Sequence, residues 1–140
     1  MKYYFIGDDK TYDNHLFHTA WIEDKYAYTS GDEKYGNCLK KLKKDDMLFC
    51  YVGKTGVVAS GKVMAEWDGL GHEDPIYKDR PEQGKVYKIK VNWDSDLTNY
   101  PIPHKKLTKC GPFSVRQTLQ EIKNKKTATK ILALVESYRR

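Results

Sequence analysis

Hydrophobic and polar positions fall in short blocks along this chain, and most of the blocks have the length of a strand. Lys2–Ile6 (KYYFI) is aromatic-rich and ends on a β-branched residue, which predicts a strand, and the polar DDKTYDN after it predicts a loop. From His15 to Tyr26 the residues Leu16, Phe17, Ala20 and Trp21 recur at helical spacing until Glu23, Asp24 and Lys25 break the pattern, so a short helix or helical turn is expected. Tyr26 to Tyr28 predicts a brief strand, and SGDEKYGN, rich in turn formers, a loop.

The firmest pattern follows. Met47–Val52 (MLFCYV) is an almost continuous apolar run, as in a strand buried on both faces, and residues 57–67 (VVASGKVMAEW) form a second run after the turn Gly53-Lys54-Thr55-Gly56. The two are expected to pair antiparallel. Residues 68–83 have Asp, Pro and Gly but no periodicity, which predicts a long excursion of the sort that often carries function. Val86–Trp93 alternates, with Lys88 and Lys90 expected on a wet face. Pro101 and Pro103 bound a basic loop with His104, Lys105, Lys106 and Lys109. Ser114 and Gln117 have capping-box spacing and predict a helix start, and a last helix from about Thr127 should pack Ile131, Leu134 and Val135 against the sheet. At 140 residues the chain has the size of one ordinary domain, so a single domain over residues 1–140 is expected.

Composition agrees with a folded domain, since 39% of the residues are hydrophobic and 13% aromatic. No apolar run approaches the roughly 20 residues that cross a bilayer, and the first residues lack a secretory pattern, so a cytoplasmic location is expected. Cys38, Cys50 and Cys110 lie far apart with no Cys-x-x-Cys pair; all three read as structural thiols. His15 and His18 can share a helix face, but no third ligand accompanies them, and no metal is expected. The formal charge of +6 favours polyanions.

Motifs for catalysis are missing from the sequence. The carboxylate pairs Asp8-Asp9, Asp45-Asp46 and Glu73-Asp74 have no nucleophile or base nearby, and Asp45-Asp46 reads as a turn. GKTG is too short to cradle phosphates, and there is no nucleophile elbow. No catalytic residue and no cofactor are assigned. Aromatic residues beside basic ones offer another chemistry. Tyr3, Tyr51, Tyr87 and Trp93 fit strand and core positions, whereas Trp21, Tyr28, Tyr35, Trp67 and Tyr77 lie in predicted loops or at element ends, where a ring can stack on a base. KKLKK (residues 40–44) and the cluster Lys105, Lys106 and Lys109 are expected to share one positive surface that holds phosphates, with Lys40, Lys41 and Lys43 as the phosphate-binding residues of the first.

The order Trp21, then Tyr28-Thr29-Ser30-Gly31, then Leu39-Lys40-Lys41-Leu42-Lys43-Lys44-Asp45-Asp46, then an apolar strand, Thr55-Gly56 and Gly61-Lys62-Val63, resembles the core of EVE-like domains, relatives of YTH and ASCH domains in the PUA-like superfamily. It is clearest over residues 20–64. Asp45 stands where the pattern usually has Gly. The resemblance implies an α+β fold, a strongly curved mixed sheet or open barrel flanked by helices, with a rim pocket that admits a flipped, modified base. It places Tyr28, Thr29 and Ser30 along that pocket, Trp67 or Tyr77 on the opposite wall, and Trp21 either in the pocket or as a core anchor. The function it implies is nucleic-acid binding, DNA or RNA, as the targeting domain of a restriction or other defence system with a separate effector domain or partner protein. Two other readings stay open: an ASCH-like enzyme acting on a modified nucleoside, and a protein-interaction module.

Overall fold

The computed structural model describes residues 1–7, 18–72, 85–115 and 117–139. Its strands are β1 (Tyr3–Gly7), β2 (Tyr26–Gly31), β3 (Met47–Val52), β4 (Gly56–Val63), β5 (Lys85–Asp96) and β6 (Leu119–Glu121), and its helices α1 (His18–Asp24), α2 (Glu33–Asn37), α3 (His104–Leu107) and α4 (Lys125–Tyr138). Among the described residues the strands form one mixed sheet in the order β2-β5-β4-β3-β1-β6. Only β1 and β3 run parallel; β1 meets β6 antiparallel, as do all the other neighbours. The sheet curls into a half-barrel because β5 is long enough to pair with β2 through Lys85–Lys90 and with β4 through Val91–Asp96. Register shifts at Cys50/Tyr51 and Ser60/Gly61 add local bend, as β-bulges do.

Alternation along the central strands separates two apolar layers. Tyr4, Ile6, Leu48 and Cys50 face a cluster closed by Trp21 of α1 and by Leu39 and Leu42 after α2. Tyr3, Phe5, Met47 and Phe49 face the other side, covered by Leu107 of α3 and by Ala128, Ile131 and Val135 of α4. Ile131 and Val135 are fully buried. Burial at about 1.5–3 kcal/mol per large side chain outweighs the weak helix propensity of Thr127 and Thr129 in α4. The helix is started by Asn124, whose side-chain oxygen accepts the Thr127 N–H at 3.0 Å.

Several elements depart from the sequence expectation. β3 and β4 form the antiparallel hairpin, but β4 ends at Val63 rather than running to Trp67; the chain turns away as the Met64 N–H reaches the Lys90 carbonyl. Ser30 and Gly31 extend β2 and Glu33–Asn37 is helical, so SGDEKYGN is not a loop. The basic stretch from His104 is α3 and a following 3-10 turn (Thr108–Cys110). No helix starts at Ser114. The segment instead becomes β6, where the Gly7 N–H donates to the Thr118 carbonyl at 2.9 Å, because an unpaired β1 would leave a row of backbone groups unmet. Lys90 is exposed, but Lys88 is half-buried, its Nζ 4.8 Å from the Tyr26 ring centroid.

The turn role of Asp45-Asp46 is plain. Asp45 adopts φ 75°, and the buried Asp46 carboxylate accepts the Lys2 and Lys43 N–H groups, each at 2.9 Å. His15 lies outside the described residues, and His18 Nε2 sits 3.0 Å from Thr98 Oγ1. No cluster of three or more metal-ligating side chains occurs among the described residues, and no described helix is long and apolar enough to cross a membrane.

Candidate nucleic-acid interface

The β2–β5 ladder positions the residues singled out in the sequence. Tyr28 stands opposite Lys88, Thr29 opposite Tyr87 and Ser30 opposite Val86. Tyr28 is buried, its ring 6.2 Å from Trp21 and 6.0 Å from Tyr26, and its hydroxyl donates to Asp24 Oδ2 at 3.3 Å. The Thr29 hydroxyl donates to the Tyr35 carbonyl at 2.7 Å and so ties β2 to α2, while Ser30 is half-buried. Trp21 is 1% exposed, so its ring serves as a core anchor with neither face open to solvent.

Trp67 differs. It is half-buried just beyond the end of β4, with its ring edge-on to Tyr87 at 6.2 Å and the Lys40 Nζ 6.0 Å from its centroid. The indole N–H groups of Trp67 and Trp21 are both buried without an acceptor among the described residues. An unmet buried donor costs about 1–3 kcal/mol, and most native structures hold few. Tyr77 lies outside the described residues. Where the excursion begins, His72 exchanges backbone hydrogen bonds with Val86 and is pinned by Asp68, whose Oδ2 is 3.1 Å from His72 Nε2. The Leu70 N–H holds the Asp68 carboxyl below its usual value against the opposing effect of burial, with smaller help from His72.

Lysines near this side include two not singled out for binding in the sequence. Lys34 has its Nζ 5.0 Å from the Tyr35 ring, and Lys88 covers Tyr26. Lys34, Tyr35, Cys38 and Lys41 face Gln117, Thr118 and Leu119 across a groove of about 450 Å³. Lys40 and Lys41 are exposed; Lys43, also exposed, is shared with Glu66 at 3.4 Å, a solvated pair of small worth. Alternation marks Lys88 as a wet-face residue, but nothing in the sequence says which ring it meets.

Lys105, Lys106 and Lys109 do not join that surface. Leu107, between them, enters the layer under α4, whereas Leu39 and Leu42, between the other lysines, enter the layer under α1. The two lysine groups therefore flank opposite faces of the sheet, and the single positive track expected from the sequence is not formed. Lys106 is turned toward Tyr138, its Nζ 5.2 Å from that ring, and a hydrogen bond to Tyr138 raises its proton affinity.

Cys38 behaves as a structural thiol. Burial pushes it up to about 11 despite the pull of Lys41, and it donates to the Tyr35 carbonyl at 3.0 Å. Relative to an ordinary thiol, roughly 100-fold less thiolate is expected at pH 8, since each pH unit is a factor of about ten. Iodoacetamide should accordingly label Cys38 far more slowly in the folded protein than after denaturation; equal rates would contradict this burial.

No protein-family model matches the sequence, and a search of curated proteins found no match. Solved structures do match. The Pho92 YTH domain in complex with m6A superposes with a TM-score of 0.61 at 15% identity, covering 96% of this chain and 83% of that one. The fold is the PUA-like fold of YTH and EVE domains. Human THYN1 in complex with 5-methylcytosine-containing DNA shares this PUA-like fold with a TM-score of 0.58 at 12% identity, over 97% of this chain and 98% of that one. The Toxoplasma CPSF4-YTH domain in its apo form gives 0.60 at 15% identity, over 99% and 87%. At such identities the likeness concerns the PUA-like frame, the curled sheet with its flanking helices.

Proposed function

We propose that this PUA-like domain binds nucleic acid and reads a base, preferentially a methylated one, turned out of its stack against Trp67. The observation that carries this reading is Trp67 itself: a half-buried ring at the edge of the core, steadied by Tyr87 and beside the cation of Lys40. A flipped base can stack on the open part of this ring, and stacking offsets an unstacking cost of a few kcal/mol. Tyr28, Thr29 and Trp21 back the site from the core. Lys34, Lys40 and Lys41 hold flanking phosphates, which fixes the strand without reading its sequence. The complexes that two proteins of this fold make, one with m6A and one with 5-methylcytosine DNA, support the preference for methylated bases. The reading assigns no catalytic step; in a restriction or other defence system the domain would supply targeting to a separate effector.

The test is binding to a panel of single- and double-stranded DNA and RNA oligonucleotides, with and without N6-methyladenine or 5-methylcytosine, at two salt concentrations. A buried methyl contributes about 0.8 kcal/mol, so at least a fourfold preference for one modified oligonucleotide is expected. Equal affinity for every member, or no binding at low salt, would overturn the proposal. Changing Lys34, Lys40 and Lys41 together to alanine should weaken modified and unmodified oligonucleotides alike and flatten the salt dependence by about 0.7–0.9 for each phosphate no longer neutralised. An unchanged slope would remove these lysines from the interface.

A further inference from the structure

The lysine group on the far side of the sheet borders a different kind of surface. Between His104 and Val135 the sequence holds seven lysines and one arginine against a single carboxylate, Glu121. Where α3 and its 3-10 turn meet α4, Lys106, Lys109 and Lys130 line a groove of about 450 Å³ together with Cys110, Ala133, Leu134 and Ser137. The groove's walls are held in place. Asn124 caps the start of α4, and Arg139 just past its end donates to Ser95 Oγ at 2.8 Å and lies 3.7 Å from Asp94. Lys106 is held against Tyr138. A groove already in shape loses little freedom on binding.

We propose that this groove docks an acidic segment of a partner protein through one apolar anchor side chain. The two halves of the site call for different chemistries at once. The lysines attract carboxylates, while Cys110, Ala133 and Leu134 reward a hydrocarbon side chain, and the Ser137 hydroxyl is already spent on the Leu134 carbonyl. A nucleic-acid backbone satisfies only the first half. An acidic peptide with a leucine or phenylalanine among its carboxylates satisfies both, and the opposite face of the sheet stays clear for the base-reading site.

The experiment uses the full chain and a fluorescent peptide of about 12 residues, alternating Glu and Asp around one central Phe, measured by anisotropy. Changing that Phe to Ala is expected to weaken binding about tenfold, the effect of losing one buried anchor. The double variant K109E/K130E should lose binding by a larger factor, whereas K105E/K126E, which makes the same charge change outside the groove, should lose less than threefold. Binding of the methylated oligonucleotide should be unaltered by K109E/K130E. Peptide binding that ignores the anchor, or falls equally in both double variants, would reduce the surface to general electrostatics and overturn the proposal. So would a loss of oligonucleotide affinity in K109E/K130E, which would make this a phosphate surface instead. Failure of the base-reading proposal would appear separately, as an oligonucleotide panel without preference.

Discussion

Replacing Gly61 by valine is expected to destabilise the fold by about 3 kcal/mol or more, at the upper end of what overpacking costs. A Cβ at this position would lie 2.4 Å from the Asn92 carbonyl oxygen and 2.9 Å from the Trp93 Cα, both backbone atoms. A clashing side chain can change rotamer, but here a strand must move. β4 has no room for that, because it is hydrogen-bonded to β3 on one side and β5 on the other, and Gly61 sits where the β4–β5 register shifts. Urea denaturation should show the loss as a lower midpoint with an unchanged slope. Gly53→Ala is the matched control, since nothing lies within 4 Å of its added Cβ, and a similar loss there would show that the clash is not the cause.

Trp67→Ala is expected to have the largest effect on binding, removing about 1–3 kcal/mol of affinity for the preferred modified oligonucleotide and with it most of the preference. Affinity for unmodified strands, whose bases can also stack on this ring, should fall by less, and the salt slope should stay as it was, because Lys34, Lys40 and Lys41 remain. Trp67→Phe keeps a smaller stacking face, so it should recover part of the affinity but bind more weakly than the native ring. Stability should suffer modestly in either variant, since the side chain is only half-buried. If Trp67→Ala discriminates methylated from unmethylated strands as well as the native protein does, the base is read elsewhere.

Local chemistry made some of this architecture legible. Met47–Val52 and the strand after Gly56 announce themselves by an unbroken apolar run, a Gly-Lys-Thr-Gly turn and strand length, and they are the middle of the sheet. Elements decided by distant partners were harder to read. Ser114 and Gln117 have the spacing of a helix cap, yet the segment ends in β6 because β1 offers it an open edge, and no local pattern reports that edge. Likewise the spacing of the lysines shows how many there are but not which face of a sheet each meets; Leu39 and Leu107 settle that by the apolar layer each one enters. At the candidate site, Trp67 is legible as an aromatic at the end of the expected strand 57–67. Its relation to Tyr87 and Lys40 depends on the β2–β5 ladder and on the return of the chain at His72, which sequence spacing does not encode.

The place of β1 bears on how the molecule comes to be made. Of the strands described, β1 is made first, but its neighbours in the sheet are β3, met through Tyr3 and Met47, and β6, met through Tyr4 and Glu121. One edge of β1 can be met once β3 has emerged, but the other stays open until β6, far along the chain, is made. Such distant pairings slow folding and leave apolar strands open to the wrong partners in the meantime. A ribosome-bound chain ending before Leu119 should remain more sensitive to protease near its N-terminus than the finished domain.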